Sequence, residues 1–326
     1  MKRADEEELA VIAEIARMYY VEGMSQQEIA NMLFFSKAKV SRALKIAREE
    51  KIVEFQIHYP LKQSVLLETE LKRRFGLKEA LVVTDLYDNQ DAEIAIKRIG
   101  EMAAGYLDRI LEDGDAVGLS WGRTIYQMVR QLKPSVPRKL EIVQLVGNAT
   151  EEYLSQKELP VLVQEMARAF QARYSLLYAP LYIENDIVRK ELMKERIIRT
   201  ALEKAKKVQY VVTGIADMKA GGGVNTWEGY LTPRKKEELI RKGAVGYLCG
   251  YFFDREGKKI NDRLNDRIIG IPFEDLQQVP QVIALAGGWD KTQAIYAAIK
   301  GNLIDCLITD SRIAEKLIEQ ERSLDG

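Results

Sequence analysis

Apolar side chains recur with helical spacing along the N-terminal part of the chain and then switch to a strand-like alternation. Residues 6–21 carry apolar positions on one helical face, and Gly23 ends that run. Residues 52–59, IVEFQIHY, alternate in the manner of a strand, and Pro60 closes the block. Residues 61–76 return to helical spacing and end in a glycine, which predicts a linking helix.

Two serines mark the starts of two further helices within this block. Ser25 is followed three positions later by Glu28, which is the spacing of a capping box, so a second helix is expected from there to about Leu33. Ser36 is placed to cap a third helix over residues 37–50. Helix, tight turn and helix predict a helix-turn-helix within a three-helix bundle.

Beyond the linking helix, short β-rich runs alternate with helical stretches. The strand candidates are 80–84, 116–119, 141–146, 175–177, 210–213, 282–286 and 306–309. The helix candidates are 91–112, 123–132, 156–172, 187–205, 234–241, 291–300 and 311–320. Such alternation predicts a Rossmann-like α/β fold, with a mostly parallel sheet and helices on both of its faces.

Length and composition describe an ordinary globular protein. The chain has 326 residues, which favours two domains, and 47% of them are hydrophobic and 30% charged. Basic and acidic residues both number 49, so the formal net charge is zero. A wholly basic coat for nucleic acid is excluded, and any such contact requires a local patch.

Few residues with catalytic or metal-binding chemistry are available. Cys249 and Cys306 lie far apart in apolar runs, so they predict buried thiols in a reducing compartment. His58 is the sole histidine, so no nucleophilic triad or metal-ligand set can be assembled, and no cofactor is expected. The acidic N-terminus has no signal-type run and no stretch is apolar enough for a membrane span, which predicts a cytoplasmic protein.

The third predicted helix carries a local excess of positive charge. Between Lys37 and Arg48 five residues are basic and none is acidic, although residues 1–51 contain nine of each sign. Basic side chains pair with phosphates, and the second helix of such a motif can enter the major groove of DNA. The residues expected to contact double-stranded DNA are Ser25, Gln26, Ser36, Lys37, Lys39, Ser41, Arg42 and Lys45.

A plainer interpretation is a solvated basic helix in an unremarkable three-helix bundle. Phe34 also departs from the pattern, because many such motifs have a glycine at this turn for a left-handed conformation. A different turn geometry is one way to accommodate it. Caps, packing positions and charge nevertheless agree, and together they favour DNA binding.

The first of three glycine-bearing turns follows the strand candidate 116–119. A turn of this kind presents backbone N–H groups and the positive end of a helix to an anion. The sequence is neither GxGxxG nor a Walker A motif, so no dinucleotide binding or NTP hydrolysis is inferred. A plain strand-to-helix turn is the alternative. The residues of this turn are Ser120, Trp121, Gly122, Arg123 and Thr124.

Other glycine turns are expected beside the first. One contains Gly147 and Asn148, and another contains two glycines followed by Lys291 at a helix start. Gly214 ends a further strand candidate. Because the carboxyl ends of parallel strands meet at one edge of a sheet, where open α/β sheets bind ligands, the turns together predict a site for an anionic small molecule.

Several weaker candidates keep two interpretations. Asp254, in GYFFDREGK, is either an acceptor for a sugar hydroxyl or the residue that shapes its own turn. Trp121, Trp227 and Trp289 each lie near a glycine turn, where they would stack on a sugar ring or, as we favour, pack in the core.

The chain resembles the SorC family of bacterial sugar-responsive transcriptional regulators over nearly its whole length. The N-terminal block resembles that family's DNA-binding domain. In the second block the resemblance is carried by VGLSWGRT, QLVG, GAVGYLCGYFFDREG and VIALAGGWDKTQAIYAAIKGNLIDCLITD. The combination of GxSWGxT with AGGxxK and LITD is the specific part.

The resemblance implies an effector domain similar to glucosamine-6-phosphate deaminases and ribose-5-phosphate isomerases, a commonly phosphorylated sugar as inducer, and a homotetramer. Some relatives hold an aldehyde-bearing effector through a lysine near the second glycine turn, which here has no lysine. The family's phosphate contacts would fall on Ser120, Gly122, Arg123, Thr124 and Lys291. Its sugar-facing positions would be Gly147, Asn148, Gly214 and Asp254.

These observations predict a DNA-binding transcriptional regulator, by default a repressor of a carbohydrate operon, controlled by a sugar phosphate. Its expected domains are a helix-turn-helix domain at 1–59, a linking or oligomerisation helix at 60–77 and an effector domain at 78–326. One rival hypothesis is a sugar-phosphate isomerase or deaminase with an added N-terminal domain. Another is a sugar-binding adaptor whose N-terminal bundle contacts proteins.

Overall fold

Two compact units make up the chain, residues 1–60 and residues 61–326. The computed structural model describes residues 6–53, 64–84, 92–149, 158–218, 231–287 and 291–325. His58 and most of the strand expected at 52–59 lie outside these ranges. In the ranges that are described, no helix is both long and apolar enough to cross a membrane.

The helices and strands follow the expected alternation. The helices are α1 (Glu6–Tyr20), α2 (Gln26–Met32), α3 (Lys37–Glu49), α4 (Val65–Phe75), α5 (Ala92–Ile110), α6 (Arg123–Gln131), α7 (Leu159–Phe170), α8 (Asp186–Leu192), α9 (Arg196–Ala205), α10 (Pro233–Arg241), α11 (Arg263–Asp266), α12 (Phe273–Leu276), α13 (Thr292–Lys300) and α14 (Ser311–Asp325). The strands are β1 (Glu79–Val83), β2 (Ala116–Leu119), β3 (Glu141–Gln144), β4 (Arg173–Ser175), β5 (Tyr210–Gly214), β6 (Ala216–Asp217), β7 (Gly246–Leu248), β8 (Tyr251–Phe253), β9 (Gln281–Leu285) and β10 (Cys306–Asp310).

The described part of the first unit contains three helices around a small apolar core. Ile15, Ile29 and Val40, one from each helix, are among the side chains almost completely withdrawn from solvent. The predicted capping box is present, because the Ser25 hydroxyl accepts the Glu28 N–H at 3.3 Å and the Glu28 carboxylate accepts the Ser25 N–H at 2.8 Å. These local bonds fix where α2 begins.

The turn between α2 and α3 keeps the left-handed conformation despite its phenylalanine. Phe34 has φ of +55°, its N–H donates to Asn31 O, and the Phe35 N–H donates to Ala30 O at 2.9 Å. This is the Schellman arrangement, in which glycine is the preferred residue. No alternative turn geometry is adopted, so Phe34 carries a conformational cost of about 1–2 kcal/mol.

Seven parallel strands form the sheet of the second unit. Their order is β1-β10-β9-β5-β2-β3-β4, and every neighbouring pair runs parallel. From β2 the chain moves outward to β3 and β4, then returns to β5 beside β2 and moves outward in the other direction. Because crossovers are right-handed, this reversal places α5 and α6 on one face and α13 on the other.

A small antiparallel sheet was not expected from the sequence. It joins β6, β7 and β8, and β7 connects to β8 through Cys249 and Gly250. Both residues have positive φ, +47° and +85°, as two-residue hairpin turns require. A glycine-containing pair between two short apolar runs is the sequence signal for this hairpin.

Some predicted boundaries are wrong for identifiable reasons. The helix expected over 187–205 is two helices, α8 and α9, because one straight helix would place Glu191 and Glu195 on the buried stripe of α9. The strand expected at 175–177 lies earlier, at β4, where the Arg173 N–H donates to Leu140 O. The linking helix ends at Gly76 in the left-handed conformation, as predicted.

Helices α5 and α6 cross at a point where only glycine fits. A Cβ atom added at Gly100 would lie 2.7 Å from the Met128 backbone nitrogen, whereas one added at Gly105 on the same helix would meet nothing within 4 Å. Close contact at Gly100 sets the position of α6, whose N-terminus begins immediately after the first glycine turn.

We therefore predict opposite effects for the same substitution at two positions of α5. Gly100→Ala is expected to lower the free energy of unfolding by about 1–3 kcal/mol, because backbone atoms cannot move away from the new methyl group. Gly105→Ala is expected to raise it by about 0.5–1 kcal/mol, because alanine favours the helix. Chemical denaturation of the two variants measures both, and destabilisation by Gly105→Ala would contradict this packing.

Candidate functional site

The turns after β2, β5 and β9 lie side by side at the carboxyl edge of the large sheet. A Cβ added at Gly122 would lie 3.9 Å from the Gly214 Cα, and one added at Gly214 would lie 3.5 Å from the Trp121 carbonyl oxygen and 4.0 Å from that of Leu285. Strands β2 and β5 are neighbours here, and the chain departs from them in opposite directions. The turns therefore meet at the topological switch point, where open α/β sheets bind ligands.

Two cations lie close enough at this edge for the charge of one to act on the other. Lys291 is partly buried, and desolvation, reinforced by the positive charge of Arg123, lowers its pKa to about 8, while Asp217 opposes the change. No hydrogen bond or ion pair joins the Lys291 amine to another part of the described chain. Arg123 is about half exposed and forms an ion pair with Glu93 at 3.2 Å. An ammonium that has no ion pair in the described ranges and lies near a guanidinium favours an anionic ligand.

Two helices also begin at this edge. Gly122 is the N-cap of α6 and Lys291 that of α13, and neither supplies a side-chain cap to the helix N–H groups. The Thr292 hydroxyl, one residue further, is buried and has no hydrogen-bond partner within the described residues. A buried hydroxyl without a partner is uncommon, and here it belongs to the residue that follows Lys291. The sequence analysis did not identify Thr292.

A layer of buried polar groups lies beneath the first turn. Ser120 and Thr124 are almost completely buried. The Ser120 side chain hydrogen-bonds with the Cys249 thiol, which also donates to the Thr213 hydroxyl at 3.4 Å. Burial raises the pKa of Cys249 to about 11, so its thiol stays protonated. Ser120 therefore supports the turn from below, and Thr213 and Cys249 are two members of this layer that sequence reasoning missed.

The second glycine turn follows β3, beside β2. A Cβ added at Gly147 would lie 2.3 Å from the Pro180 carbonyl oxygen, so glycine is required there by close packing. The Asn148 backbone pairs with residues 179–181, and its side-chain carbonyl accepts a hydrogen bond from the buried Gln144 amide at 2.8 Å. Gln144 thus holds Asn148 in a fixed orientation at the edge.

Asp254 is the candidate that the structure does not bring to this edge. Its carboxylate accepts the backbone N–H groups of Glu256 and Lys258, both at 2.9 Å, and so shapes its own turn. Gly257 of that turn packs against Gly301, at the opposite end of α13 from Lys291 and about 15 Å away along the helix. Of its two interpretations, the turn-shaping one fits the geometry.

The tryptophans divide between core and undescribed segments. Trp121 packs against the main core, and its ring lies 3.6 Å from the position of a Cβ added at Gly250. Core packing was the favoured interpretation for this side chain. Trp227 and Trp289 lie outside the described residues, as does Gly288 of the third turn.

The first unit carries a basic surface on α3. Val40, Ala43, Leu44 and Ala47 are buried against the other helices. Ser25 and Ser36 use their hydroxyls as caps, Ser36 accepting the Lys39 N–H at 3.2 Å. The residues of the predicted DNA-facing set on α3 that are exposed are Lys37, Lys39, Ser41, Arg42 and Lys45.

Individual cations on this surface have local contacts. The Lys39 ammonium lies 3.7 Å from the centre of the Phe35 ring, and Arg42 Nε donates to the Ala38 carbonyl at 3.3 Å. Lys45 lies 3.6 Å from Glu49 in an exposed pair. None of these contacts is strong, so the side chains are available to phosphates.

Comparison with known proteins identifies the family. The sugar-binding domain family matches residues 59–319. The deoxyribonucleoside regulator of Bacillus subtilis (strain 168) is 31% identical over 96% of this chain and 99% of its own length. The sorbitol operon regulator of Klebsiella pneumoniae is 29% identical over 96% of this chain and 99% of its own length.

The chain belongs to the SorC family of sugar-binding transcriptional regulators. The crystal structure of the full-length sorbitol operon regulator SorC from Klebsiella pneumoniae is similar, with a TM-score of 0.72 at 28% identity, covering 96% of this chain and 100% of that one. A DeoR family transcriptional regulator from Listeria monocytogenes has a TM-score of 0.70 at 29% identity, covering 77% of this chain and 98% of that one. The protein is a sugar-responsive transcriptional regulator.

For this SorC-family regulator, the electrostatics of the edge generate a direct prediction. The Lys291 amine is expected to titrate near pH 8, because desolvation and Arg123 disfavour its charged form. Arg123→Gln is expected to raise this pKa, and Asp217→Asn to lower it. NMR titration of 13C-lysine-labelled protein, with Lys291→Arg to assign the signal, measures all three. Titration of Lys291 above pH 10 in the unliganded protein would contradict the described geometry.

Proposed function

We propose that this protein is a DNA-binding repressor of a carbohydrate operon, controlled by a sugar phosphate bound at the carboxyl edge of the large sheet. The observation that carries the effector half is the Lys291 amine, which lies near Arg123 and two helix N-termini and has no ion-pair partner among the described residues. A doubly charged phosphate would compensate both cations and accept helix N–H groups.

The phosphate would contact the exposed upper side of the first and third turns. Its expected ligands are the backbone at Gly122, the Arg123 guanidinium, the Lys291 ammonium and the Thr292 hydroxyl. Ser120 and Thr124 are buried beneath the turn, so we assign them to holding its shape. The family resemblance implied five phosphate contacts, whereas this assignment keeps three of them as ligands and gives Ser120 and Thr124 a supporting role.

The sugar would lie toward the second turn and the end of β5. Asn148, held by Gln144, offers an amide to a sugar hydroxyl, and Gly214 lies next to the first turn. No lysine is present at the second turn, so binding there is non-covalent. The names of the relatives include sorbitol and deoxyribonucleoside regulators, which supports a carbohydrate-derived effector.

The DNA half of the proposal rests on the exposed basic surface of α3. Its N-terminal residues would lie in the major groove, and Ser25 and Gln26 at the start of α2 would contact a backbone phosphate. Two copies of the regulator would present two such helices to half-sites about 34 Å apart. Self-association as a homodimer or homotetramer is therefore part of the proposal.

Helix α4 contributes to association less than the sequence suggested. Leu71 is buried in the second unit and Leu67 packs against its core, whereas Val65 and Leu66 at the start of α4 are 67% and 83% exposed. The second half of the helix thus packs on its own domain. The exposed pair is what remains for contacts with another copy.

The enzyme alternative lacks support from the site. The relatives are transcriptional regulators. An isomerase or deaminase needs a general base near the sugar, and Asp254, the carboxylate expected to face the sugar, lies at the other end of α13. The adaptor alternative differs from the leading proposal only in that its N-terminal bundle binds a protein instead of DNA. A measurement of DNA binding therefore distinguishes the two.

The effector proposal predicts a charge-specific loss of affinity. Lys291→Met is expected to weaken binding of the sugar phosphate that stabilises the protein by roughly 10- to 100-fold, because one charged hydrogen bond is removed. Affinity of the unsubstituted protein is expected to fall as the pH rises through about 8, where Lys291 loses its proton. Thermal-shift screening of sugar phosphates, followed by calorimetry across pH, measures both.

The matched control is Lys300→Met, at the other end of the same helix, where Lys300 pairs with Glu256. It makes the same charge change outside the site and is expected to bind normally. Equal losses in the two variants would show a general charge effect and count against the site. A panel of sugar phosphates without any thermal shift would also count against it.

The DNA proposal predicts a change in salt dependence. Lys37→Ala is expected to reduce the slope of log affinity against log salt concentration by about one, because one phosphate contact is lost. Arg17→Gln makes the same charge change on α1, where Arg17 already forms an ion pair with Glu14 at 2.7 Å, and is expected to leave the slope unchanged. Fluorescence anisotropy with random-sequence duplex DNA measures both, and a regulator with no salt-dependent DNA binding would favour the adaptor.

A further inference from the structure

The turn between α2 and α3 exposes a large apolar side chain. Phe34 is 96% exposed and has φ of +55°. Left-handed backbone is unfavourable for a residue with a Cβ, and an aromatic ring in water is unfavourable as well. Phe34 thus has both an unfavourable backbone conformation and an exposed ring, and a glycine at this position would have neither.

The neighbouring phenylalanine shows that the core does not require Phe34. Phe35 packs against the core of the first unit and lies under the Lys39 ammonium. The hydrogen bonds of the turn come from backbone groups, and they depend on the left-handed conformation, not on the ring. Within the described part of the first unit, the ring of Phe34 therefore has no structural use.

The position of Phe34 indicates what covers it. The ring precedes Ser36, the N-cap of α3, and the exposed cations Lys37, Lys39 and Arg42 follow within the next two turns. A second copy of this surface would bring like charges together, which is unfavourable. A polyanion with apolar surface between its charges fits better. The deoxyribose rings of DNA provide such C–H surface between successive phosphates.

We propose that Phe34 is a DNA contact whose ring packs against the sugar-phosphate backbone at the edge of the groove that α3 enters. This inference rests on the proposed DNA-binding function. Because the ring is uncharged and contacts backbone, it adds affinity on any duplex sequence. It does not change the number of counterions released, which depends on the basic residues.

The test uses full-length protein with three substitutions at this position. Phe34→Ala removes the ring and keeps the strained backbone, Phe34→Gly removes both, and Phe34→Tyr keeps the ring. Phe34→Ala and Phe34→Gly are expected to weaken binding to random-sequence duplex DNA three- to tenfold, without changing the slope of log affinity against log salt concentration. The Phe34→Tyr variant is expected to bind DNA normally. Anisotropy titrations at several salt concentrations measure affinity and slope together.

Two controls separate this inference from the function on which it rests. Val21→Ala trims another exposed apolar side chain of the first unit and is expected to have no effect on DNA affinity. Hydrogen exchange in α2 and α3 is expected to show that Phe34→Gly is at least as well folded as the unsubstituted protein, which excludes unfolding as the cause of weaker binding.

Normal DNA affinity in both Phe34→Ala and Phe34→Gly would overturn the contact, provided that Lys37→Ala still reduces the salt slope. If Lys37→Ala also has no effect, the DNA-binding function itself fails. Loss of self-association in the Phe34 variants without DNA, measured by sedimentation, would instead show that another copy covers the ring, and would overturn the proposal.

Discussion

The parallel arrangement of the seven-stranded sheet is the constraint on which the proposed effector site depends. Every strand points the same way, so each one ends at the same edge. The chain leaves β2 and β5 in opposite directions, which opens a crevice between their following turns. Residues more than ninety positions apart, such as Gly122 and Gly214, are therefore neighbours, and a Cβ added at Gly122 would lie 3.9 Å from the Gly214 Cα.

Positive charge accumulates in this crevice from three sources. Helices α6 and α13 begin there without side-chain caps. Arg123 is the first residue of α6, and Lys291 occupies the N-cap position of α13. Desolvation and mutual repulsion disfavour the charge on Lys291, and Asp217 offsets them only in part. An anionic ligand would remove this unfavourable electrostatic energy, which supports the proposed phosphate over a neutral sugar. The close crossing of α5 and α6 at Gly100 holds one side of the crevice in place.

Local sequence signals predicted the elements that depend on local physics. The capping box at Ser25, the cap at Ser36 and the glycine end of α4 all rest on hydrogen bonds within a few residues, and each is present. The parallel sheet and the convergence of its glycine turns followed from strand–helix alternation. The effector-facing roles of the turn residues stay predictions.

What sequence reasoning missed depends on contacts between distant segments. Thr292 is a candidate because its hydroxyl is buried and has no partner in the described part of the chain. Ser120 changed from a surface ligand to a support because a hairpin brings Cys249 against it. Asp254 lies away from the site because its turn packs at the far end of α13. The segment 187–205 forms two helices because a single helix would bury Glu191 and Glu195.

The central claim is that the crevice and the basic helix belong to one regulator, in which ligand binding at one changes affinity at the other. The most direct measurement is the affinity of full-length protein for a duplex selected in vitro, with and without the sugar phosphate identified by thermal shift. For a repressor released by its inducer, the account predicts that the ligand weakens DNA binding, and that DNA weakens ligand binding by the same factor. Equal DNA affinity at saturating ligand, while ligand binding is confirmed by calorimetry, would contradict it.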